Sequence, residues 1–360
     1  MKKILSVMLA ICMLFALAAC SADTESTADS SIPDSTDNSK SVPADEGTVD
    51  KSKPDEQQKD KTYTNYPVFD FEKRTVKLNN GIDMPVIGIG TYRLSPDEAE
   101  NSVYHALQDG YRLIDTANAY MNERGVGRGI KKSGIPREEI FVTSKLWVTE
   151  YDNVSQAIDD TLSRLDLDYI DLLLLHQPYG NYVGAYKELE KAVTDGRVRS
   201  IGLSNFYDYK FDEIMEAASI PPAVLQNELN PTYQQKDMRE YVKKYGTVLE
   251  AWFPLGGRGH TQELFDNEVI KSIAEKHNVT SAQVILRWHI QMGQITIPGS
   301  SNPDHIAENI SIFDFELTDE EMAQIKKLDT NQGQYVYDKS TDEQNERMYM
   351  SYQMDFNNQK

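Results

Sequence analysis

The chain has 360 residues, 39% hydrophobic and 26% charged, enough apolar material for one large domain or two modest ones. Its net charge of −20, from 57 acidic and 37 basic residues, argues against a nucleic-acid-binding protein, which normally presents a basic face. Both cysteines, Cys12 and Cys20, lie in the first twenty residues. This position excludes a disulfide-stapled core and a thiolate metal cluster in the rest of the chain.

The first twenty residues have the pattern of an export signal. Lys2 and Lys3 precede an uncharged run over 4–19, which is too short for a comfortable membrane span and typical of a signal-peptide core. The run ends in small residues directly before Cys20, and this resembles a bacterial lipobox, in which the cysteine is acylated (palmitate is one such acyl group). We predict a lipoprotein signal peptide over 1–19 with lipidation at Cys20. An ordinary secretory signal with a chance cysteine is the alternative.

Residues 20–61 predict a disordered acidic tether. Between 21 and 60 the chain carries eleven acidic residues, four lysines and no aromatic residue. Such a segment buries too little apolar surface to offset the entropy lost on ordering, and its charges repel one another. We therefore expect a solvated spacer, followed by a folded domain over 62–330 and a C-terminal tail over 331–360.

Short apolar segments alternate with helical segments from about Thr75 onwards. The apolar segments predict eight strands: 86–90, 113–115, 140–144, 170–175, 200–203, 224–226, 248–251 and 294–297. Repeated βα units give a parallel sheet, and eight of them in roughly 250 residues predict a closed (β/α)8 TIM barrel.

Local signals place the helices between these strands. Ser95, Pro96 and Glu98 predict a capped helix start, and Thr280 predicts another. The competing fold, a doubly wound open sheet, would need a glycine-rich phosphate turn after its first strand. The glycines of 88–90 lack the third glycine of that turn. The glycines of 125–129 lie inside a predicted helix, where we expect them to serve helix packing.

Polar side chains recur where the predicted strands end, which in a barrel is the end that carries chemistry. They are Asp115, Tyr120, Lys145, Trp147, His176, Ser204, Asn205, Gln226, Glu228 and Trp252. Each alone has an ordinary structural interpretation, but together they would face one mouth. An ammonium beside a phenol favours the phenolate, so we expect Lys145 to lower the pKa of Tyr120. Tyr120 would then act as a general acid toward a carbonyl oxygen.

These motifs resemble the aldo-keto reductases. The matching segments are Ile114-Asp115-Thr116-Ala117 with Tyr120, Phe141-Val142-Thr143-Ser144-Lys145-Leu146-Trp147, Asp171-Leu172-Leu173-Leu174-Leu175-His176, Gly202-Leu203-Ser204-Asn205-Phe206 and Ile297-Pro298-Gly299-Ser300. The resemblance extends from about Val76 to Leu328. It implies an enzyme that reduces an aldehyde or ketone to an alcohol with a reduced nicotinamide cofactor.

The resemblance also implies a role for each matched residue. Tyr120 donates the proton, Lys145 and Asp115 tune it, and His176 orients the carbonyl. Tyr92 and Trp147, with His176, form the substrate pocket. The implied cofactor-binding residues are Gly90, Thr91, Asp115, Ser204, Asn205, Gln226, Trp252, Pro254, Leu255, Gly256, Ser300, Ser301, Asn302, His305, Glu308 and Asn309. No metal is implied.

Some positions depart from the family pattern. Many relatives hold the 2′-phosphate of NADP with a lysine and an arginine where this chain has Gly299 and His305. Arg258, in the loop after the seventh strand, could instead pair with the pyrophosphate. We expect NADPH as the cofactor, with NADH as an alternative. Gln177 follows His176 where a tryptophan is frequent, which suggests a more polar substrate site.

The tail over 331–360 lies where relatives carry a specificity loop, so we expect it to serve as a substrate loop. Its residues that could cover the mouth are Tyr335, Tyr337, Met348, Tyr349, Met350 and Tyr352. A tail that packs elsewhere is the alternative.

The export signal and the nicotinamide chemistry point to different compartments. A lipobox predicts a chain anchored to a bacterial cell membrane on its extracytoplasmic side, where free NADPH is scarce. Two alternatives remain: a surface lipoprotein that uses an inactive barrel as a binding module, and a cytoplasmic enzyme whose signal does not act. The complete set of Asp115, Tyr120, Lys145 and His176 favours the enzyme. We expect a monomer that contacts a small carbonyl substrate and a membrane through its lipid, but no nucleic acid.

Overall fold

The computed structural model describes residues 66–257, 259–335 and 339–359 of the chain. The predicted signal peptide over 1–19, the tether over 20–61 and Cys20 lie outside the described residues. Within the described part, no helix combines the length and the apolar character that a membrane crossing requires.

A small antiparallel sheet precedes the barrel. It consists of β1 (Val68–Asp70), β2 (Thr75–Lys77) and β3 (Asp83–Pro85), in that order across the sheet. This sheet is not predicted from the sequence, because three residues are too few to show an alternating pattern. The link between β2 and β3 contacts the starts of two barrel strands. There, Asn80 Nδ2 donates to Ser200 Oγ over 2.9 Å, and Asn79 Nδ2 donates to the Pro222 carbonyl over 3.0 Å.

Eight parallel strands form the barrel. They are β4 (Ile89–Gly90), β5 (Leu113–Asp115), β6 (Phe141–Leu146), β7 (Ile170–Leu175), β8 (Val198–Ser204), β9 (Val224–Glu228), β10 (Val248–Trp252) and β11 (Ile295–Thr296). Each strand pairs with the next one along the chain. A further parallel bridge between Ile87 and Thr296 joins the first strand to the last. The predicted (β/α)8 barrel is confirmed.

The strand positions follow the apolar runs of the sequence. Strands β5 and β7 have the predicted bounds, and every residue of β6 and β7 is buried, as expected for strands covered on both faces. Strand β6 continues two residues beyond its predicted end, through Lys145 and Leu146. Polar residues therefore lie within the strand ends themselves, and the strands hold them in fixed positions.

Twelve helices accompany these strands in the described residues. They are α1 (Pro96–Gln108), α2 (Glu123–Ser133), α3 (Val154–Leu165), α4 (Tyr182–Thr194), α5 (Asp208–Ala217), α6 (Lys236–Lys243), α7 (Thr261–Phe265), α8 (Glu268–His277), α9 (Ser281–Gln291), α10 (Pro303–Ile310), α11 (Asp319–Lys326) and α12 (Asp342–Ser351). The predicted caps are present. Ser95 Oγ accepts from the Glu98 amide while Glu98 Oε2 accepts from the Ser95 amide, and Thr280 makes the same reciprocal pair with Gln283.

The glycines of 125–129 serve helix packing, as predicted. They lie in α2, and a Cβ atom at Gly125 would stand 2.0 Å from the Pro96 carbonyl oxygen. At Gly127 a Cβ atom would stand 2.2 Å from the Leu165 carbonyl oxygen. The glycines therefore let α2 approach its neighbours at backbone distance, and no phosphate turn is formed there.

The described part of the tail packs against the carboxyl ends of the barrel strands. Glu228, at the end of β9, accepts hydrogen bonds from the backbone amides of Gln334 and Tyr335 over 3.0 and 2.9 Å. Asp342 at the start of α12 lies 3.0 Å from Lys210 Nζ. The tail thus crosses the open end of the barrel, opposite the end that the β2–β3 link contacts.

Candidate active site

The carboxyl ends of β5 to β10 bring the predicted polar residues together. Asp115 ends β5, Ser204 ends β8 and Trp252 ends β10, while Lys145 lies near the end of β6. His176 follows β7 directly. Because all these strands are parallel, the residues share one end of the barrel.

Lys145 is the centre of this group. Its Nζ atom lies 2.7 and 2.9 Å from the two carboxylate oxygens of Asp115, and it donates to the Thr116 carbonyl over 2.9 Å. The Tyr120 hydroxyl lies 3.2 Å from the same nitrogen. The Lys145 and Asp115 side chains are 0% and 2% exposed. The ammonium is therefore held by a carboxylate on one side and directed at a phenol on the other.

The expected lowering of the Tyr120 pKa is wrong for this structure. Burial raises the pKa of the Tyr120 hydroxyl well above its usual range, and the nearby carboxylate of Asp115 raises it further. Burial and the Asp115 charge together outweigh the stabilisation of the phenolate by the Lys145 ammonium. Tyr120 consequently stays protonated at neutral pH, which is the state a proton donor needs.

His176 packs against the phenol and the pocket wall. Its ring centroid lies 5.6 Å from that of Tyr120 and 5.2 Å from that of Trp147. Burial, followed by the charge of Lys145, holds the pKa of His176 well below its usual range, so the imidazole is neutral. Its Nδ1 atom has no hydrogen-bond partner among the described residues.

Thr91 and Gly90 support this group from β4. The backbone amide and the hydroxyl of Thr91 both donate to the Asp115 carbonyl over 3.0 Å. A Cβ atom at Gly90 would stand 2.8 Å from the Ile297 carbonyl oxygen. Both residues therefore set the close packing of β4 beside β5 and β11.

A second polar group lies beside the first, on β8 to β10. Asn205 Nδ2 donates to the His176 carbonyl over 3.0 Å and to Ser204 Oγ over 3.1 Å. Asn205 Oδ1 accepts from Trp252 Nε1 over 3.0 Å. Asn205 has a φ of 65°, a left-handed conformation that asparagine adopts more readily than most residues. The indole of Trp252 is thus fixed in orientation by a hydrogen bond.

Gln226 and Glu250 complete the floor of the mouth. Gln226 Nε2 donates to Asp115 Oδ2 and to Glu250 Oε2, each over 2.8 Å. Glu250 is fully buried and was not singled out from the sequence. Its place within an apolar strand, two residues before Trp252 and therefore on the same face of the strand, is the signal that could have identified it.

Two further segments carry predicted cofactor residues. In the loop after β10, His289 Nε2 lies 3.3 Å from the Pro254 carbonyl oxygen, and Leu255 is half-buried. Gly256 has a φ of 86°, and its carbonyl accepts from Gln334 of the tail over 2.5 Å. Arg258 lies outside the described residues.

The segment before α10 is the second one that carries predicted cofactor residues. Ser301 and His305 are exposed and Ser300 is half-buried, while Asn302 caps the helix by accepting from the Asp304 amide over 3.0 Å. Farther along α10, Asn309 is buried. Glu308 Oε1 accepts from the Thr280 hydroxyl over 2.7 Å, which ties this residue to the start of α9.

Aromatic rings surround the mouth. The Tyr92 ring, 45% exposed, lies 5.0 Å from that of Tyr120. Tyr349 and Tyr352 of the tail lie 5.5 and 6.1 Å from the buried Trp147. Both belong to the tail residues that the sequence offers as a cover for the mouth, of which Tyr337 lies outside the described residues. The structure places these two tail tyrosines on the predicted substrate wall.

The donor set fits a nicotinamide. Ser204, Asn205 and Gln226 offer hydrogen-bond donors and acceptors that complement a carboxamide, and Trp252 offers an aromatic face beside them. Among the described residues, no cluster of three or more His, Cys, Asp or Glu side chains is arranged to hold a metal ion. The mouth of this (β/α)8 barrel therefore combines a proton-transfer group with a carboxamide-binding group.

Comparisons with known proteins identify the family. Residues 86–330 match the aldo/keto reductase family. The glyoxal reductase of Bacillus subtilis (strain 168) is 47% identical over 264 residues, covering 72% of this chain and 94% of that protein. The methylglyoxal reductase DkgA of Yersinia pestis is 41% identical over 259 residues, covering 71% and 92%. A solved structure of the Bombyx mori aldo-keto reductase in complex with NADP has a TM-score of 0.69 and 35% identity, covering 73% and 94%.

The chain belongs to the aldo/keto reductase family. It is an NAD(P)H-dependent oxidoreductase that acts on carbonyl compounds.

Proposed function

We propose that this chain reduces an aldehyde or ketone to an alcohol with NADPH, using Tyr120 as the proton donor. The observation that carries the proposal is the buried position of Lys145 Nζ, in contact with both Asp115 and the Tyr120 hydroxyl. When bound, a reduced nicotinamide supplies the hydride that is added to the carbonyl carbon.

The protonated hydroxyl of Tyr120 gives its proton to the substrate oxygen as negative charge develops there. The Lys145 ammonium, 3.2 Å away, stabilises the phenolate that remains. Asp115 keeps the ammonium charged and in place through two hydrogen bonds. The neutral imidazole of His176 offers a hydrogen bond that orients the carbonyl.

The cofactor residues divide by the part of NADPH that they hold. Ser204, Asn205 and Gln226 bind the carboxamide, and Trp252 stacks on the ring. The loop with Pro254, Leu255 and Gly256 lies along the pyrophosphate. Ser300, Ser301, Asn302 and His305, at the N-terminal end of α10, suit the 2′-phosphate, because helix N-termini attract anions. The family use of NADP in the Bombyx mori relative supports NADPH over NADH.

Small dicarbonyls are the substrates to examine first. Relatives at 47% and 41% identity are named glyoxal and methylglyoxal reductases. The wall formed by Tyr92, Trp147 and the tail tyrosines also suits flat carbonyl compounds, so aromatic aldehydes belong in the same screen.

The test is a binding measurement followed by turnover. Quenching of tryptophan fluorescence by NADPH and NADH, expected at micromolar concentrations for NADPH, reports on Trp252. Tyr120→Phe should reduce turnover by about a thousandfold while cofactor affinity stays unchanged, because only the proton donor is lost. Substantial turnover in this variant would contradict the role of Tyr120. Absence of cofactor binding at millimolar concentration would favour the alternative, a binding lipoprotein on an inactive barrel.

We also propose that the protein is a monomer anchored through a lipid on Cys20 at the extracytoplasmic side of a bacterial cell membrane. The lipobox-like sequence before Cys20 supports this location. Cys20→Ala should remove incorporation of labelled palmitate and release the chain from the membrane fraction. Unchanged labelling and fractionation would contradict the anchor.

A further inference from the structure

One buried acid at the mouth has no part in the mechanism described above. Glu250 is fully buried, and its Oε2 atom accepts from Gln226 Nε2 over 2.8 Å. Its Oε1 atom has no hydrogen-bond partner among the described residues. Burial of a carboxyl group with an unpartnered oxygen costs free energy of folding. Its position between the proton-transfer group and the cofactor residues therefore suggests that it has a function.

The amide of Gln226 can take only one orientation. Asp115 is bound by the Lys145 ammonium and therefore acts as an acceptor, so the amino group of Gln226 must face it. The same amino group faces Glu250. Two carboxyl groups thus use both hydrogens of the amide nitrogen. The carbonyl oxygen of Gln226 is left as the atom that can accept a hydrogen bond from a carboxamide.

We propose that Glu250 is a positioning residue that fixes the amide of Gln226 for the cofactor and whose proton sets whether the mouth favours the reduced or the oxidised nicotinamide. The inference rests on the proposed cofactor site. It assigns to Glu250 the discrimination between two redox forms that differ by one positive charge on the ring.

The charge balance explains this discrimination. Asp115 and Lys145 together carry no net charge, so a neutral Glu250 leaves the floor of the mouth neutral, which suits the uncharged ring of NADPH. An ionised Glu250 adds one negative charge in a buried place, where it attracts the cationic ring of NADP⁺ strongly. Burial, followed by the charge of Asp115, raises the pKa of Glu250 to about 8.

Four other titratable groups lie around Glu250, and two of them can be set aside. Tyr120 has a pKa raised well above 10 and His176 one held well below 6.5, so neither titrates between pH 7 and 9. Asp115 is paired with Lys145 and joined to Glu250 through Gln226, and burial raises its pKa as well. Glu228, on β9 beside Trp252, is a further buried acid whose pKa is raised by burial, and it accepts from two tail amides. A variant of Glu250 itself separates its contribution from those of Asp115 and Glu228.

The experiment measures the dissociation constants of NADP⁺ and NADPH by fluorescence quenching from pH 7 to pH 9 on the full chain. The ionised fraction of Glu250 should increase over this range, because burial raises its pKa to about 8. The ratio of the NADP⁺ constant to the NADPH constant should therefore fall about fivefold. Titration of the cofactor's own phosphates affects both constants alike and cancels in the ratio.

Three variants distinguish the positioning role of Glu250 from the effect of its charge. Glu250→Gln keeps an acceptor for Gln226 but cannot ionise, so NADPH affinity at pH 7 should stay within about twofold and the ratio should not change with pH. Glu250→Leu loses the acceptor and should weaken NADPH binding about tenfold. Thr296→Val, a buried change on the neighbouring strand β11, is the matched control and should behave as the wild type.

Each outcome decides a different claim. If the wild type binds neither cofactor, the proposed function and this inference fail together. If it binds NADPH but the ratio in Glu250→Gln still changes fivefold with pH, the charge role belongs elsewhere, with Glu228 as the next candidate. If Glu250→Leu folds with unchanged unfolding midpoint and binds NADPH normally, the positioning role is overturned.

Discussion

Two buried ion pairs lie on opposite faces of one strand. On β6, Lys145 points into the barrel and pairs with Asp115, while the preceding residue, Ser144, points outward and donates to Glu123 Oε1 over 2.7 Å. Glu123 pairs with Arg164 over 2.6 Å. Both pairs are almost completely buried, so burial and charge alone do not distinguish a site from a structural contact.

The two ion pairs differ in whether their polar partners remain available to a ligand. In the outer pair, formed by Glu123 and Arg164, Arg164 also donates to Thr161 and to Asn357 of the tail. The outer pair is therefore enclosed by protein partners. In the inner pair, formed by Lys145 and Asp115, Lys145 contacts the Tyr120 hydroxyl and Asp115 accepts from the Gln226 amide. The same amide also binds Glu250. The polar atoms of the inner pair face groups that can still bind a ligand. A buried ion pair is therefore a candidate site when its partners remain available to a ligand.

The largest expected effect comes from breaking the inner pair. Lys145→Met removes the cation that stabilises the Tyr120 phenolate and should reduce turnover by about a thousandfold. It also leaves Asp115 buried without its partner, which should cost about 3 kcal/mol in the free energy of unfolding. Steady-state kinetics and urea unfolding measure the two effects. Turnover within tenfold of the wild type would remove Lys145 from the mechanism.

Breaking the outer pair should affect stability alone. Arg164→Met leaves Glu123 uncompensated and should also cost about 3 kcal/mol in the free energy of unfolding, with turnover within about twofold of the wild type. Ser144→Ala, which removes only one hydrogen bond to Glu123, should cost about 1 kcal/mol and serves as the milder control. A large loss of turnover in folded Arg164→Met would show that the two faces of β6 are coupled.

The sequence predicts the barrel and the inner pair for a physical reason. Long apolar runs mark β6 and β7, and a charged residue at the end of such a run, such as Lys145, is conspicuous. The matched motifs then bring Asp115, Tyr120 and His176 to the same end of the barrel, since parallel strands align their carboxyl ends.

The outer pair and Glu250 could not be predicted from charged residues at the ends of apolar runs. Glu123 and Arg164 lie on helices, where charged residues are normally solvated, and only the tertiary packing buries them. Glu250 lies in the middle of β10, where only its alternation with Trp252 indicates that it faces the mouth. The direction of the Tyr120 pKa shift also required the structure, because it depends first on how completely the hydroxyl is buried and then on the nearby charge of Asp115.

The attachment of the tail at Glu228 has a consequence for how the enzyme can change. Glu228 holds Gln334 and Tyr335 through backbone amides, which every residue except proline provides. The course of the chain at Tyr335 therefore does not require a particular side chain for this contact, whereas Gln334 also donates to the Gly256 carbonyl through its side chain. The Tyr335 side chain, whose ring lies 5.4 Å from that of Trp252, can therefore be replaced without loss of the backbone hydrogen bonds to Glu228. A change of side chain at this position would therefore alter the surface beside Trp252 and leave the two backbone contacts with Glu228 in place.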